Sequence, residues 1–126
     1  MTVKYTVVAR GNPQNPDAPK KYYAVAKSTG ETTLPKLAER MAEISTLSSI
    51  DLTAALEALL TVIPRELAAG NIVRLGDFGS FSLRVRSEGS ETEDGVTSRN
   101  ITKRIIAFRP GKRFTKVVND IEFEPL

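Results

Sequence analysis

The chain has 126 residues, 40% of them hydrophobic, enough for one domain with its own core and too apolar for a disordered segment. It holds no Cys and no His, which removes disulfide frameworks, thiolate and imidazole metal ligands and the commonest general base, so neither a metal nor a cofactor is expected. No stretch approaches the roughly 18 apolar residues of a membrane-spanning helix, and MTVKYTVVARG lacks the apolar run of a secretory leader, so a cytoplasmic protein is expected. The net charge of +3 is small, and its distribution says more than its sum. Residues 32–83 carry four basic and six acidic side chains, whereas residues 84–116 carry nine basic and four acidic ones.

Residues 1–31 differ from the rest. Val3, Tyr5 and Val7 alternate with Lys4 and Thr6, and a second β-rich run, Tyr22 to Ala26, follows a loop from Asn12 to Lys20 with three prolines. This predicts an N-terminal β-hairpin. Lys4, Arg10, Lys20, Lys21 and Lys27 make it basic, which suits a solvated face protecting a sheet edge or, as the sharper reading, a contact with nucleic acid.

A helix is predicted from near Thr33, an acceptable N-cap, with Pro35 in its first turn and a core stripe of Leu34, Leu37, Ala38, Met41 and Ile44. A second begins at Ser48 with Asp51 close to a capping box and runs to Gly70 as its stop. Its apolar set, Leu52, Leu56, Leu59, Leu60, Ile63 and Leu67, is wider than one small neighbouring helix covers, so a dimer interface is expected. Pro64 lacks the amide that would bond the Leu60 carbonyl, and its ring crowds the preceding turn, which predicts a kink between these residues.

Two segments, VRLGDFGSF from Val73 to Phe81 and AFRPGKRF from Ala107 to Phe114, bracket a polar, charge-rich hairpin. Gly76 and Gly79 mark a turn or bulge with close backbone packing, because GDFG lacks the strand, Gly-rich turn and helix order of a phosphate-binding loop. Phe78 and Phe81 then serve the core or a dimer contact. Asp94-Gly95 is a favoured two-residue hairpin turn, since both positions tolerate positive φ. A turn there pairs Phe81 with Phe108, Leu83 with Ile106 and Arg86 with Lys103. Phe81, Leu83, Ile106 and Phe108 would share a covered face, and Arg84, Arg86, Arg99 and Lys103 the opposite, basic one. A bulge among Ser87 to Ser90 would break the alternation farther out.

The order of these parts carries a resemblance. A long helix ending in Gly70, a strand into Gly76-Asp77-Phe78-Gly79-Ser80-Phe81, an arm, and a return into Phe108-Arg109-Pro110-Gly111-Lys112 resemble the bacterial HU/IHF family of histone-like, DNA-bending proteins over residues 32–119. The resemblance implies an α+β fold: two helices, a β-sheet with a protruding β-arm, and a short C-terminal helix, with the N-terminal β-hairpin as an addition that standard members lack. It implies one HU-like domain over 1–126, divided into the hairpin extension 1–31, a helical dimerisation part 32–70, sheet and arm 71–109, and C-terminal helix and tail 110–126. It further implies a non-catalytic, nucleoid-associated protein that binds double-stranded DNA as a homodimer, mainly through phosphates and the minor groove and with low sequence specificity. No small-molecule substrate is expected.

Phosphate binding needs repeated positive donors along a groove rather than one special residue. Arg84, Arg86, Arg99, Lys103, Arg104, Arg109, Lys112, Arg113 and Lys116 are the candidate DNA-binding residues. Pro110-Gly111-Lys112 would set backbone amides at the start of the last helix, where an anion is favoured, and the resemblance implies that Lys112 faces DNA. The family's Arg-Asn-Pro tip, whose proline wedges between base pairs, is absent. Arg99-Asn100 leads into Ile101, and the tip carries Glu88, Glu91, Glu93 and Asp94. Val96 and Ile101 are the candidate wedges, and phosphate-directed binding with modest groove accommodation is expected in place of strong kinking. The acidic tip supports a second reading, an HU-fold interaction module that has lost DNA binding. An enzyme is the weakest reading, because Asp77 and Glu88 have no nucleophile arrangement beside them.

Overall fold

The computed structural model describes every residue from Met1 to Leu126 and divides into two compact units, Leu34–Lys116 and Met1–Thr33 with Val117–Leu126. The first unit opens with α1 (Leu34–Glu43) and α2 (Ser49–Ala68). The Ser48 hydroxyl caps α2 by accepting from the Asp51 amide at 3.1 Å. At the other end Gly70, with φ of 89°, turns the chain out of the helix. Its amide donates to Leu67 and that of Asn71 to Glu66, both at 3.0 Å, which closes a Schellman motif. Between these caps α2 continues through Pro64 as one helix. The carbonyl that loses its amide belongs to Leu60, an exposed residue, so water can take the amide's place.

The two helices pack together, but deep burial is confined to Ala38, Leu52 and Leu67, at 0%, 5% and 7% exposure. The predicted α1 stripe holds only in part. Leu34 and Met41 are half-buried, whereas Leu37 is exposed and Ile44 lies past the helix end in solvent. Leu59, Leu60 and Val62 of α2 are exposed as well. One chain therefore leaves much of its apolar helical surface uncovered.

The remaining strands of this unit, β3 (Val73–Arg74), β4 (Gly79–Ser87) and β5 (Ile101–Pro110), form an antiparallel sheet in the order β3-β4-β5. Its central register pairs Phe81 with Phe108, Leu83 with Ile106 and Arg86 with Lys103, as the alternation in the sequence predicts. The register shifts between Arg86 and Ser87, and the ladder ends at Ser87↔Ile101. Asp94-Gly95 does not form the expected two-residue hairpin turn, since neither residue has positive φ. Gly95 instead donates to the Thr92 carbonyl at 3.2 Å and to its hydroxyl at 3.1 Å, and Val96 donates to Glu93 at 3.2 Å. The apolar face expected to be covered is open within one chain, with Leu83 and Phe108 exposed and Ile106 70% exposed.

The second unit is a sheet of β1 (Thr2–Arg10), β2 (Lys21–Lys27) and β6 (Glu122–Pro125), in the order β2-β1-β6. β1 pairs antiparallel with β2 and parallel with β6, so residues expected to be a tail form a strand. α3 (Lys112–Asn119) precedes β6 in the chain. No helix is long and apolar enough to cross a membrane.

Candidate nucleic-acid interface

Two glycines fix the base of the arm to the start of α3. Gly76–Phe78 forms a 3-10 turn, after which Gly79 adopts φ of 141°. A Cβ at Gly79 would lie 2.5 Å from the Arg109 carbonyl oxygen and 2.9 Å from the Phe108 ring. At Gly111 it would overlap the Asp77 carbonyl, and the Gly111 amide donates to Phe78 at 3.0 Å. The GDFG and RPGK segments are thus one junction, closed by backbone contact that a side chain would block. Around it Phe78 packs on Phe114 with ring centroids 4.6 Å apart, and Phe81 on Phe108 at 4.8 Å. Of the backbone amides expected at the start of α3, that of Gly111 is taken by the Phe78 carbonyl.

The ladder sorts the basic side chains. Cross-strand partners share a face, so Arg84, Arg86 and Lys103 lie together, with Arg109 joining through its pairing with Ser80. Arg74 pairs with Ser80 from the other side and falls on the same face. Arg74, Arg84 and Arg109 line one open groove with Ser80 and Ser82. Arg74 was not among the sequence candidates: a two-residue strand is too short to show alternation. Arg104 pairs with Val85 and lies on the opposite face, with Leu83 and Ile106. Arg99 is corrected too, for it sits in the 3-10 turn Ser98–Asn100, outside the ladder whose alternation would have set its face. Lys112, Arg113 and Lys116 are on α3, with Lys112 and Lys116 one helical turn apart.

The charges on this face are unanswered within the chain. Its two ion pairs, Lys4 with Glu124 and Lys36 with Glu39, involve none of the nine basic residues of 84–116 and none of the acidic residues of the outer loop. That loop has its own order. The Glu88 amide donates to the Asn100 carbonyl at 2.8 Å, the Asn100 side-chain amide donates to Glu88 at 3.2 Å, and Thr97 and Asn100 form a capping box. Asp77 lies in the turn at the arm base, and no cluster of acidic side chains is arranged to hold a metal ion. Of the candidate wedges, Val96 is exposed in the loop and Ile101 is the last ladder partner.

A helical pair, a three-stranded arm and a glycine-closed junction to a short helix define an HU-like fold. A family model described as "HU domain fused to wHTH, Ig, or Glycine-rich motif" matches residues 1–125, and the chain belongs to this HU-HIG family, within the HU/IHF-like group. It is 32% identical over 94 residues to integration host factor subunit alpha of Aliivibrio salmonicida (strain LFI1238), covering 73% of this chain and 96% of that relative. The same subunit from Paramagnetospirillum magneticum is 32% identical over 90 residues, covering 70% and 85%. Among solved structures, the Anabaena HU–DNA cocrystal aligns with a TM-score of 0.54 at 26% identity, over 70% of this chain and 98% of that one. A crystal structure of a protein from Bacteroides vulgatus ATCC 8482 aligns over 99% of this chain with a TM-score of 0.67 at 15% identity, a likeness of fold. The chain spans about half of that protein, 48% of its length.

Proposed function

We propose that this protein is a non-catalytic DNA-binding protein of the bacterial nucleoid, working in the cytoplasm. It holds double-stranded DNA mainly through phosphates, in and beside the minor groove, with little sequence preference. The carrying observation is the row of Arg74, Arg84, Arg86, Lys103 and Arg109 on one face of the arm, none of them answered by a carboxylate of the chain. Lys112, Arg113 and Lys116 extend the set from α3, while Arg104 lies on the opposite face of the ladder and Arg99 outside it. Relatives support the reading: Anabaena HU was crystallised with DNA, and integration host factor subunit alpha aligns over almost its whole length.

The working form in this reading is a homodimer. Leu59, Leu60 and Val62 of α2 and the apolar face of the arm, with Ile106 at its centre, are exposed in one chain and would be covered by a second. Each neutralised phosphate adds about 0.9 to the steepness of log affinity against log salt, so five contacts per arm give about 4 to 5 for each arm and about 9 for a homodimer using both. The test is titration of a labelled duplex at several salt concentrations, repeated with a scrambled sequence. A steep slope shared by both duplexes is expected, and a flat salt response overturns the reading.

The acidic outer loop favours a second reading, an HU-fold module whose arm engages a protein. Failure to bind duplex at low salt would select it.

A further inference from the structure

The N-terminal sheet has two unlike faces. On β1, Val3, Tyr5, Val7 and Ala9 share one face, and Lys4, Thr6, Val8 and Arg10 share the other. Pairing extends both sets. Ala9 meets Tyr22 and Val3 meets Phe123, whereas Lys4 stands opposite Lys27 and Arg10 opposite Lys21. The first face is apolar, with Val7, Tyr22 and Phe123 at 61%, 74% and 61% exposure, and it is the face that such a sheet buries when it finds a partner. The second face carries its charges at its two ends, with Lys4, Lys27, Arg10 and Lys21 all exposed and Thr6 and Val8 half-buried between them.

Like charges directly opposite each other weaken strand pairing. This hairpin carries two such pairs on one face, Lys4 with Lys27 and Arg10 with Lys21, one towards each end of its ladder. From Lys4 to Arg10 is about 20 Å at ~3.3 Å per residue. Protection of a sheet edge accounts for the lysines of the outer strand β2 and for Arg10, since β6 pairs β1 only as far as Tyr5, but not for Lys4, which stands between two strands. Counter-charge on this face is confined to one end, where Glu122 and Glu124 of β6 stand beside Thr2 and Lys4. Glu124 lies 3.9 Å from Lys4, while Arg10, Lys21 and Lys27 form no ion pair. The Arg10 guanidinium is held over the Tyr23 ring, 5.7 Å from its centroid, on the same face. Two basic pairs this far apart suit a chain of regularly spaced phosphates and exceed the reach of one small anion.

We infer that the basic face of the N-terminal sheet is a second phosphate-binding surface for the nucleic-acid backbone, independent of the arm. The inference rests on the DNA-binding reading and enlarges its footprint by Arg10, Lys21 and Lys27, with Lys4 held in part by Glu124.

The test uses the full chain, with an Arg10→Ala/Lys21→Ala/Lys27→Ala variant beside an Arg84→Ala/Arg86→Ala/Lys103→Ala variant in the same duplex titrations. Loss of three phosphate contacts from each protomer lowers the salt slope of the homodimer by about 5.4. The N-terminal variant is expected to show that drop and, without DNA, to melt no lower than the parent, because it removes one like-charge pair outright and breaks the other. A Glu122→Gln/Glu124→Gln variant frees Lys4 and shifts the slope the other way, by up to about 0.9 for each protomer. An unchanged slope in the N-terminal variant, with a drop in the arm variant, overturns this inference and leaves the arm reading standing. No duplex binding by the parent chain overturns both. Capture of the parent by anionic lipid vesicles, lost in the N-terminal variant while its DNA slope stays unchanged, also overturns it and assigns the face to a membrane surface.

Discussion

The inner arm and the outer loop are built from one continuous stretch of chain, yet they obey different rules. From Gly79 to Arg86 and back from Lys103 to Pro110 the ladder keeps one register and sorts charge to one face. From Glu88 to Asn100 ladder pairing stops and the backbone is tied to nearby side chains by Thr92, Thr97 and Asn100. A strand holds its register where alternate residues have something to pack against. Where they do not, Thr and Asn offer the backbone closer partners. The sign of the charge changes at the same place, from unpaired Arg and Lys to Glu88, Glu91, Glu93 and Asp94. Grip and reach are therefore separate properties of this arm.

The contrast is broken most severely at the glycine junction. Gly111→Ala drives a Cβ into the Asp77 backbone and is expected to lower stability by about 3 kcal/mol in urea unfolding. Gly95→Ala meets chiefly the movable ends of Ser90 and Thr92 at ordinary φ and should cost less than about 1 kcal/mol. Equal costs at the two sites would deny that the inner arm is the rigid part. Next in size, Arg84→Ala/Arg86→Ala/Lys103→Ala should reduce the salt slope of duplex binding by about 2.7 for each arm, about 5.4 for the homodimer, with little change in the melting temperature. A smaller effect is expected at the capping box. Thr97→Ala should cost about 1 kcal/mol of local order, read as faster amide hydrogen exchange at 97–100 with global unfolding unchanged. Smallest of all, Glu91→Gln/Glu93→Gln should tighten duplex binding a fewfold at low salt. That gain should vanish near 1 M salt, where the screening length is about 3 Å. Weaker binding by this variant would mean that the outer loop attracts its partner through those carboxylates.

What the sequence discloses follows the same division. The α2 caps, the close packing at Gly79 and the inner-arm register were legible because each rests on a local signal, a capping serine, a Gly beside aromatic residues, or a period of two, whereas the contact of Gly111 with Asp77 joins segments more than thirty residues apart. Arg74 was hidden because its strand has two residues, and β6 because its partner β1 lies at the other end of the chain. The outer loop was misread because Asp94-Gly95 favours a tight turn locally, while the bonds of Thr92 and Asn100 hold the backbone otherwise. The uncovered apolar residues of α1, α2 and the arm look like core in sequence, since composition does not distinguish a side chain buried by its own chain from one awaiting another.

The most direct test of the central claim compares two single variants that differ in the face they alter. Arg86 and Arg104 lie near each other on paired strands, the first on the basic face and the second opposite Val85. Duplex titration over a range of salt should show the slope falling by about 1.8, one contact on each arm of the homodimer, in Arg86→Ala and staying at the parent value in Arg104→Ala. Equal losses in both, or a loss confined to Arg104→Ala, would contradict the assignment of phosphate binding to that face.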